Sequence, residues 1–143
     1  MFASTTALDH ITLICKDLDK TAAMFKELFG AEEVYATNKN IYSIAKERFF
    51  KIQNIWFIIM EGEATTKTYN HIAFKVFSPE LKMLREKVEK MGLQILAGRT
   101  RTRDEGEALY FYDYDNHLFE FHSGSLEKRL RYYRSRDKET EEK

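Results

Sequence analysis

The sequence predicts an α+β protein made of two paired βαβββ modules folded as one domain. Three observations predict it. Residues 9–12 read DHIT and residues 70–73 read NHIA, so His10 and His71 each open a run of apolar and β-branched residues. Each run leads into a charged stretch of helical spacing that stops at a glycine, Gly30 in the first half and Gly92 in the second. The repeat is roughly 60 residues long, too long for a solenoid unit and too short to stand as an independent domain.

The elements follow in chain order. HITLIC at 10–15 is a strand, and Leu18 to Leu28 has helical spacing, with Met24, Phe25 and Leu28 on one side and Gly30 as its stop. AEEVYATN is a second strand and turn. IYSIAKERFFKI at 41–52 and IWFIIME at 55–61 are two more strands around an Asn-containing turn. The second half repeats the order with HIAFKVF at 71–77, a helix near 79–91 with the only proline, Pro79, in its first turn, and then LQILAG. Arg99 to Glu107 is a polar, basic loop. ALYFYD at 108–113 and LFEFHS at 118–123 are strands joined by DYDNH, SLEKRLRYYR is a short helix, and SRDKETEEK is a frayed, solvated tail. Module one spans about 7–62, module two about 68–124, and the helix and tail 125–143, all within a single domain over 1–143.

Composition narrows the function. Hydrophobic residues make up 43% of 143, enough for a core, whereas a lone module would be marginal. The modules must therefore share a core, and apolar runs such as IWFIIM point to a homodimer that exchanges modules across a two-fold axis. Lys plus Arg and Asp plus Glu both total 23, so no global field recruits nucleic acid or an anionic membrane. No apolar run approaches the roughly 20 residues that span a bilayer, and MFASTTALDH has no basic-then-apolar leader pattern. The single cysteine, Cys15, fits a reducing, cytoplasmic setting and forms no intrachain disulfide.

The repeat also organises the chemistry. Two imidazoles at equivalent strand starts are the beginning of a metal site, although a lone histidine there is more often a hydrogen-bonded core or surface residue. The last strand of module two contributes Glu120, and applying the repeat places its counterpart near position 59, at Ile59, which binds no metal. The expected ligand set is His10, His71 and Glu120, with open coordination positions as in catalytic sites. Such mixed imidazole and carboxylate donors suit Mn(II), Fe(II), Zn(II) or Ni(II). Glu61 is a rival fourth ligand, although its strand-end position favours solvent.

Strand parity places Thr12 on the face of His10, turns Cys15 away from it, and gives Tyr110 and Tyr112 a common face. His117 lies in a turn that it supports, and His122 shares the parity of Glu120 at one remove from the site. Arg99, Arg101 and Arg103 alternate through the basic loop and Arg129 follows the last strand. Guanidinium groups suit phosphate-like oxyanions, but a solvated charged loop explains each arginine taken singly.

LDHITLICKDLDKT, AKERFF, WFIIMEG, TYNHIAF, DEGEALYFYDYDNHLFEFH and GSLEKRL together resemble the vicinal oxygen chelate superfamily, and within it the fosfomycin resistance proteins of the FosX type, over roughly residues 7–133. The resemblance implies paired-βαβββ dimers holding Mn(II) through His10, His71 and Glu120, the set that the repeat reached. It implies an epoxide hydrolase acting on fosfomycin, with Glu47 of AKERFF as general base, and the phosphonate held by Arg101, Tyr110 and Arg129. It also implies that Thr12 lies near the oxyanion or the epoxide and that Trp56 and Tyr69 shape the pocket wall. Asp104 and Ala108 stand where glutathione-using relatives carry serines, which favours the water-using branch. The competing readings are a metal-dependent thiol transferase on the same epoxide, a non-haem Fe(II) dioxygenase, and a metal-free drug-binding protein.

Overall fold

The computed structural model describes residues 3–98, 102 and 105–142. The chain divides into two compact units, one running through Lys67 and taking in Tyr114–Asn116, the other holding Thr68–Asp113 and continuing from His117. The first contains β1 (His10–Cys15), α1 (Leu18–Phe29), β2 (Glu32–Ala36), β3 (Glu47–Ile52) and β4 (Ile55–Glu61). The second contains β5 (His71–Lys75), α2 (Leu81–Lys90), β6 (Ile95–Leu96), β7 (Ala108–Tyr112), β8 (Leu118–His122) and α3 (Leu126–Glu141). The sheets have the same order, β1-β4-β3-β2 and β5-β8-β7-β6, with the first pair of each parallel and the rest antiparallel. The expected twofold βαβββ repeat is therefore the architecture.

Helices α1 and α2 each cover one face of the sheet in their own unit. In the first unit, Asp17 caps α1 by accepting the Lys20 N–H at 3.0 Å, and Gly30 ends it in the left-handed conformation at φ 61° that glycine adopts without steric cost. Met24, Phe25 and Leu28 are buried, and the Phe25 ring centroid lies 5.4 Å from Phe50 and 5.5 Å from Phe57. Cys15 is fully buried, facing away from His10 as strand parity requires. In the second unit Leu81, Leu84 and Val88 of α2 are buried, and Phe111 stacks between Phe119 at 5.8 Å and Phe121 at 5.5 Å.

Four boundaries differ from the sequence reading. The strand expected from residue 41 begins only at Glu47, because β2 ends at Ala36, opposite Arg48, and β4 ends at Glu61, so Ile41, Tyr42 and Ile44 have no strand to pair with and are exposed. The strand expected over 71–77 stops at Lys75. Pro79 sits in a short 3-10 turn, Ser78–Glu80, and the α-helix starts after it at Leu81. The tail expected to fray from Ser135 is helical through Glu141. It starts from a Ser125 cap that accepts the Lys128 N–H at 3.2 Å and is supported by an Arg136–Glu139 ion pair at 2.8 Å, one turn apart.

The β7–β8 turn explains why Tyr114–Asn116 join the first unit. Buried Asp115 accepts the Lys16 N–H at 3.0 Å and, through its carbonyl, the Thr65 N–H at 3.2 Å. The Lys20 ammonium lies 4.5 Å over the Tyr114 ring, and burial raises the proton affinity of that phenol. Asp113 closes the turn by accepting both the His117 N–H at 2.9 Å and its Nδ1–H at 2.8 Å, so His117 has the supporting role expected of it.

Candidate metal centre and active site

In the first unit, the registers put His10, Thr12 and Ile14 on one sheet face with Trp56, Ile58 and Met60 of β4, and with Glu47 and Phe49 of β3. This is the face away from α1. His10 stacks on Trp56 with ring centroids 4.1 Å apart and planes 22° apart. Its Nδ1 lies 2.7 Å from the Asp9 carboxylate, which can only accept, so Nδ1 carries the hydrogen and Nε2 is left as the ligating atom of a neutral ring. Glu47 stands beside Met60 and Ile14, two residues beyond Thr12 along the face, and is 6% exposed. Glu61 pairs with Cys15 and so projects to the opposite face from His10, which removes it as a rival ligand.

In the second unit, the corresponding face carries His71, Ala73 and Lys75 of β5, Leu118, Glu120 and His122 of β8, and Ala108, Tyr110 and Tyr112 of β7. The shared faces expected for Tyr110 with Tyr112 and for Glu120 with His122 are present. His71 Nε2 lies 3.3 Å from Glu120 Oε2, and Glu120 is 3% exposed. His71 Nδ1 lies 2.8 Å from the Tyr69 carbonyl, an acceptor, so Nδ1 donates and the lone pair of a neutral ring is turned toward the carboxylate. Two acceptors at that separation require a cation between them, either a proton on the ring or a metal ion, and the donor set suits Mn(II). Tyr69 and Tyr110 flank His71, with ring centroids 5.0 and 5.4 Å away.

The registers also correct the repeat arithmetic. Glu120 pairs with Ala73, two residues after His71, and the residue paired with Thr12, two after His10, is Ile58. The counterpart of Glu120 is thus Ile58 rather than Ile59. The chemical conclusion stands, since either isoleucine lacks a donor. By the same comparison Glu47, paired with Met60, is the counterpart of Ala108, paired with His122.

A cleft of about 920 Å³ opens in the second unit between Lys75, Tyr110, Ser123 and Lys128. Its floor is set by a backbone crossing. Gly106 has φ 80°, and a Cβ there would fall 2.6 Å from the Gly124 nitrogen, so only glycine lets the end of the basic loop close on the end of β8. Lys128 rather than Arg129 lines this cleft, and Arg129 is half-buried on α3. Arg101, with Arg99, Arg103 and Asp104, lies outside the described residues. His71 and Glu120 are brought together, whereas His10 belongs to the other unit. Among the described residues no three His, Cys, Asp or Glu side chains form a ready-made cage.

Sequence reasoning missed three supporting groups: Asp9 on His10, the Tyr69 carbonyl on His71, and Thr37 on Glu47. Thr37 accepts the Glu47 N–H at 2.9 Å and donates its hydroxyl to the Glu47 carbonyl at 3.1 Å. Asp9 was visible as the residue preceding the histidine. A backbone carbonyl and a threonine ten positions from its partner carry no local signal.

Comparison with known proteins agrees with this geometry. The family described as the Glyoxalase/Bleomycin resistance protein/Dioxygenase superfamily matches residues 7–121. The fosfomycin resistance protein FosX of Listeria innocua is 48% identical over 129 residues, covering 90% of this chain and 97% of the relative. FosX of Mesorhizobium japonicum is 43% identical over 124 residues, covering 86% and 89%. A crystal structure of a FosX mutant from Listeria monocytogenes, complexed with Mn(II) and 1S,2S-dihydroxypropylphosphonic acid, superposes with a TM-score of 0.82 at 45% identity, covering 91% of this chain and 99% of that one. With two βαβββ units, a histidine opening the first strand of each, and a glutamate facing the second histidine, the chain belongs to the glyoxalase/bleomycin resistance protein/dioxygenase superfamily and, within it, to the FosX fosfomycin resistance proteins.

Proposed function

We propose that this protein inactivates fosfomycin as a Mn(II)-dependent epoxide hydrolase, with Glu47 as the general base that activates water. The observation that carries the reading is the placement of Glu47, a carboxylate almost wholly buried on the same sheet face as His10 and Thr12. A base must be held within reach of the water it deprotonates, and a strand position holds it better than a loop. FosX relatives at 43 to 48% identity support the substrate, and the diol phosphonate bound to the relative from Listeria monocytogenes is what water addition to a propyl epoxide phosphonate yields.

His71, Glu120 and His10 are the residues that would hold Mn(II). The ion, when bound, supplies a Lewis acid for the epoxide oxygen, where negative charge develops as the ring opens. Water forms the new C–O bond as the epoxide C–O bond breaks. Glu47 takes one proton from that water and the departing alkoxide acquires another, so the sum is epoxide plus water to a vicinal diol. Tyr110, Arg101 and Arg129 grip the phosphonate, with the guanidinium forks suited to its oxygens. Thr12 donates toward the epoxide, and Trp56 and Tyr69 form the wall beside the two histidines.

The working assembly is a homodimer that exchanges modules, so that the third ligand of the His71 and Glu120 pair is His10 of the partner subunit. The setting is cytoplasmic, consistent with a single, buried cysteine, Cys15. Among the described residues no helix is long and apolar enough to cross a membrane. Phosphorus NMR of fosfomycin with protein and Mn(II), with and without added thiol, tests the reading. The expected result is conversion to the diol without thiol, and conversion that depends strictly on thiol overturns it.

A further inference from the structure

Glu47 occupies an awkward place for a group that must be held steady. It is the first residue of β3, it follows the irregular segment 38–46, and the register with β2 ends one pair earlier, at Ala36 and Arg48. Strand ends of this kind fray. On the β4 side the segment is tied by the Glu61 N–H to the Lys46 carbonyl at 2.8 Å. On the β2 side the tie is unusual. The Thr37 N–H donates to the Glu47 carbonyl at 2.9 Å, as a continuing antiparallel ladder requires. The reciprocal bond, from the Glu47 N–H, goes to Thr37 Oγ1 at 2.9 Å, and the same hydroxyl gives its own hydrogen to the Glu47 carbonyl at 3.1 Å. One side chain thus clamps both backbone groups of Glu47.

We infer that Thr37 is a positioning residue for hydration, acting through Glu47 by fixing the backbone from which its carboxylate projects. The inference rests on the proposed role of Glu47 as the base. Misplacing a reacting group by about 1 Å costs rate by up to roughly 100-fold, so a clamp on the base's own backbone acts on turnover while leaving metal and substrate binding alone. The clamp needs a hydroxyl, a donor and an acceptor on one atom, which serine retains and valine, of nearly the same shape, lacks.

The test uses the Mn(II)-loaded full chain with Thr37→Val and Thr37→Ser, each also combined with Glu47→Gln. Turnover is followed by phosphorus NMR and Mn(II) affinity by electron paramagnetic resonance of the free ion. Thr37→Val is expected to lower kcat for hydration by roughly 10- to 100-fold with KM and Mn(II) affinity near those of the parent, and Thr37→Ser to restore most of it. In the Glu47→Gln background Thr37→Val should add no further loss, because it acts through the missing base. An unchanged kcat in Thr37→Val overturns the inference, as does an equal loss with and without Glu47. If Thr37→Val does not fold, Thr37→Ser decides, since a loss of kcat with the hydroxyl retained also overturns it. A full hydration rate in Glu47→Gln alone instead overturns the role of Glu47 as base, whatever the Thr37 variants do.

Discussion

His71 Nε2 faces Glu120 Oε2 at 3.3 Å, and the Tyr69 carbonyl, 2.8 Å from Nδ1, decides which ring nitrogen does so. A hydrogen-bonded Nδ1 leaves Nε2 for the metal, and the carboxylate opposite supplies the charge that an imidazole pair alone would lack. Because so few protein donors would hold the ion, loss of either should abolish tight binding. His71→Ala and Glu120→Ala are each expected to remove Mn(II) affinity and turnover while leaving the far-ultraviolet circular dichroism spectrum unchanged. Tight, stoichiometric Mn(II) binding by either variant contradicts the site.

Removal of the base is separable from removal of the metal. Glu47→Gln keeps the size of the side chain and removes its proton acceptor, so hydration should fall by roughly 10²–10⁴-fold while Mn(II) affinity stays near that of the parent. A loss of metal affinity would make Glu47 a ligand instead.

The phosphonate grip is testable at Tyr110, which lies beside both His71 and the second unit's cleft. Tyr110→Phe keeps the ring that packs on His71 and deletes one hydroxyl donor. The expected outcome is a KM for fosfomycin raised roughly 10- to 100-fold, as for one hydrogen bond to a charged group, with Mn(II) affinity unchanged. An unaltered KM would take Tyr110 out of the substrate contacts.

Assembly provides a separate check. Light scattering should give twice the chain mass at concentrations where the enzyme turns over. Mixing inactive His10→Ala with inactive Glu120→Ala should recover activity, because a shared site regains an intact ligand set in mixed dimers. A monomer mass that does not depend on concentration, with full activity, excludes the exchanged dimer.

Stability should follow the helix-covered cores. Phe57 is fully buried with its ring 5.5 Å from Phe25, so Phe57→Ala should cost about 3–5 kcal/mol, measured by chemical denaturation. A cost below about 1 kcal/mol would mean that the site collapses around the missing ring with little loss.

How much was legible beforehand follows from the range of the interactions involved. The sequence by itself determined the repeated βαβββ order, the faces shared by His10 with Thr12 and by Tyr110 with Tyr112, the inward turn of Cys15, and Glu120 as an acidic residue with an apolar counterpart. All of these depend on strand parity and helical spacing, which reach only a few residues along the chain. Family resemblance singled out Glu47, which local pattern reads as an ordinary strand-edge charge.

Tertiary structure alone decided the rest. It set the strand register that makes Ile58, not Ile59, the counterpart of Glu120, because register depends on cross-strand pairing rather than on counting from a histidine. It started β3 only at Glu47, since Ile41, Tyr42 and Ile44 have no strand to pair with. It continued α3 to Glu141, where side-chain pairs one turn apart support a stretch whose composition reads as a solvated tail. It also brought Thr37 to Glu47 and the Tyr69 carbonyl to His71. Those contacts form only when distant or backbone groups are folded into place, and no side-chain pattern along the chain encodes them.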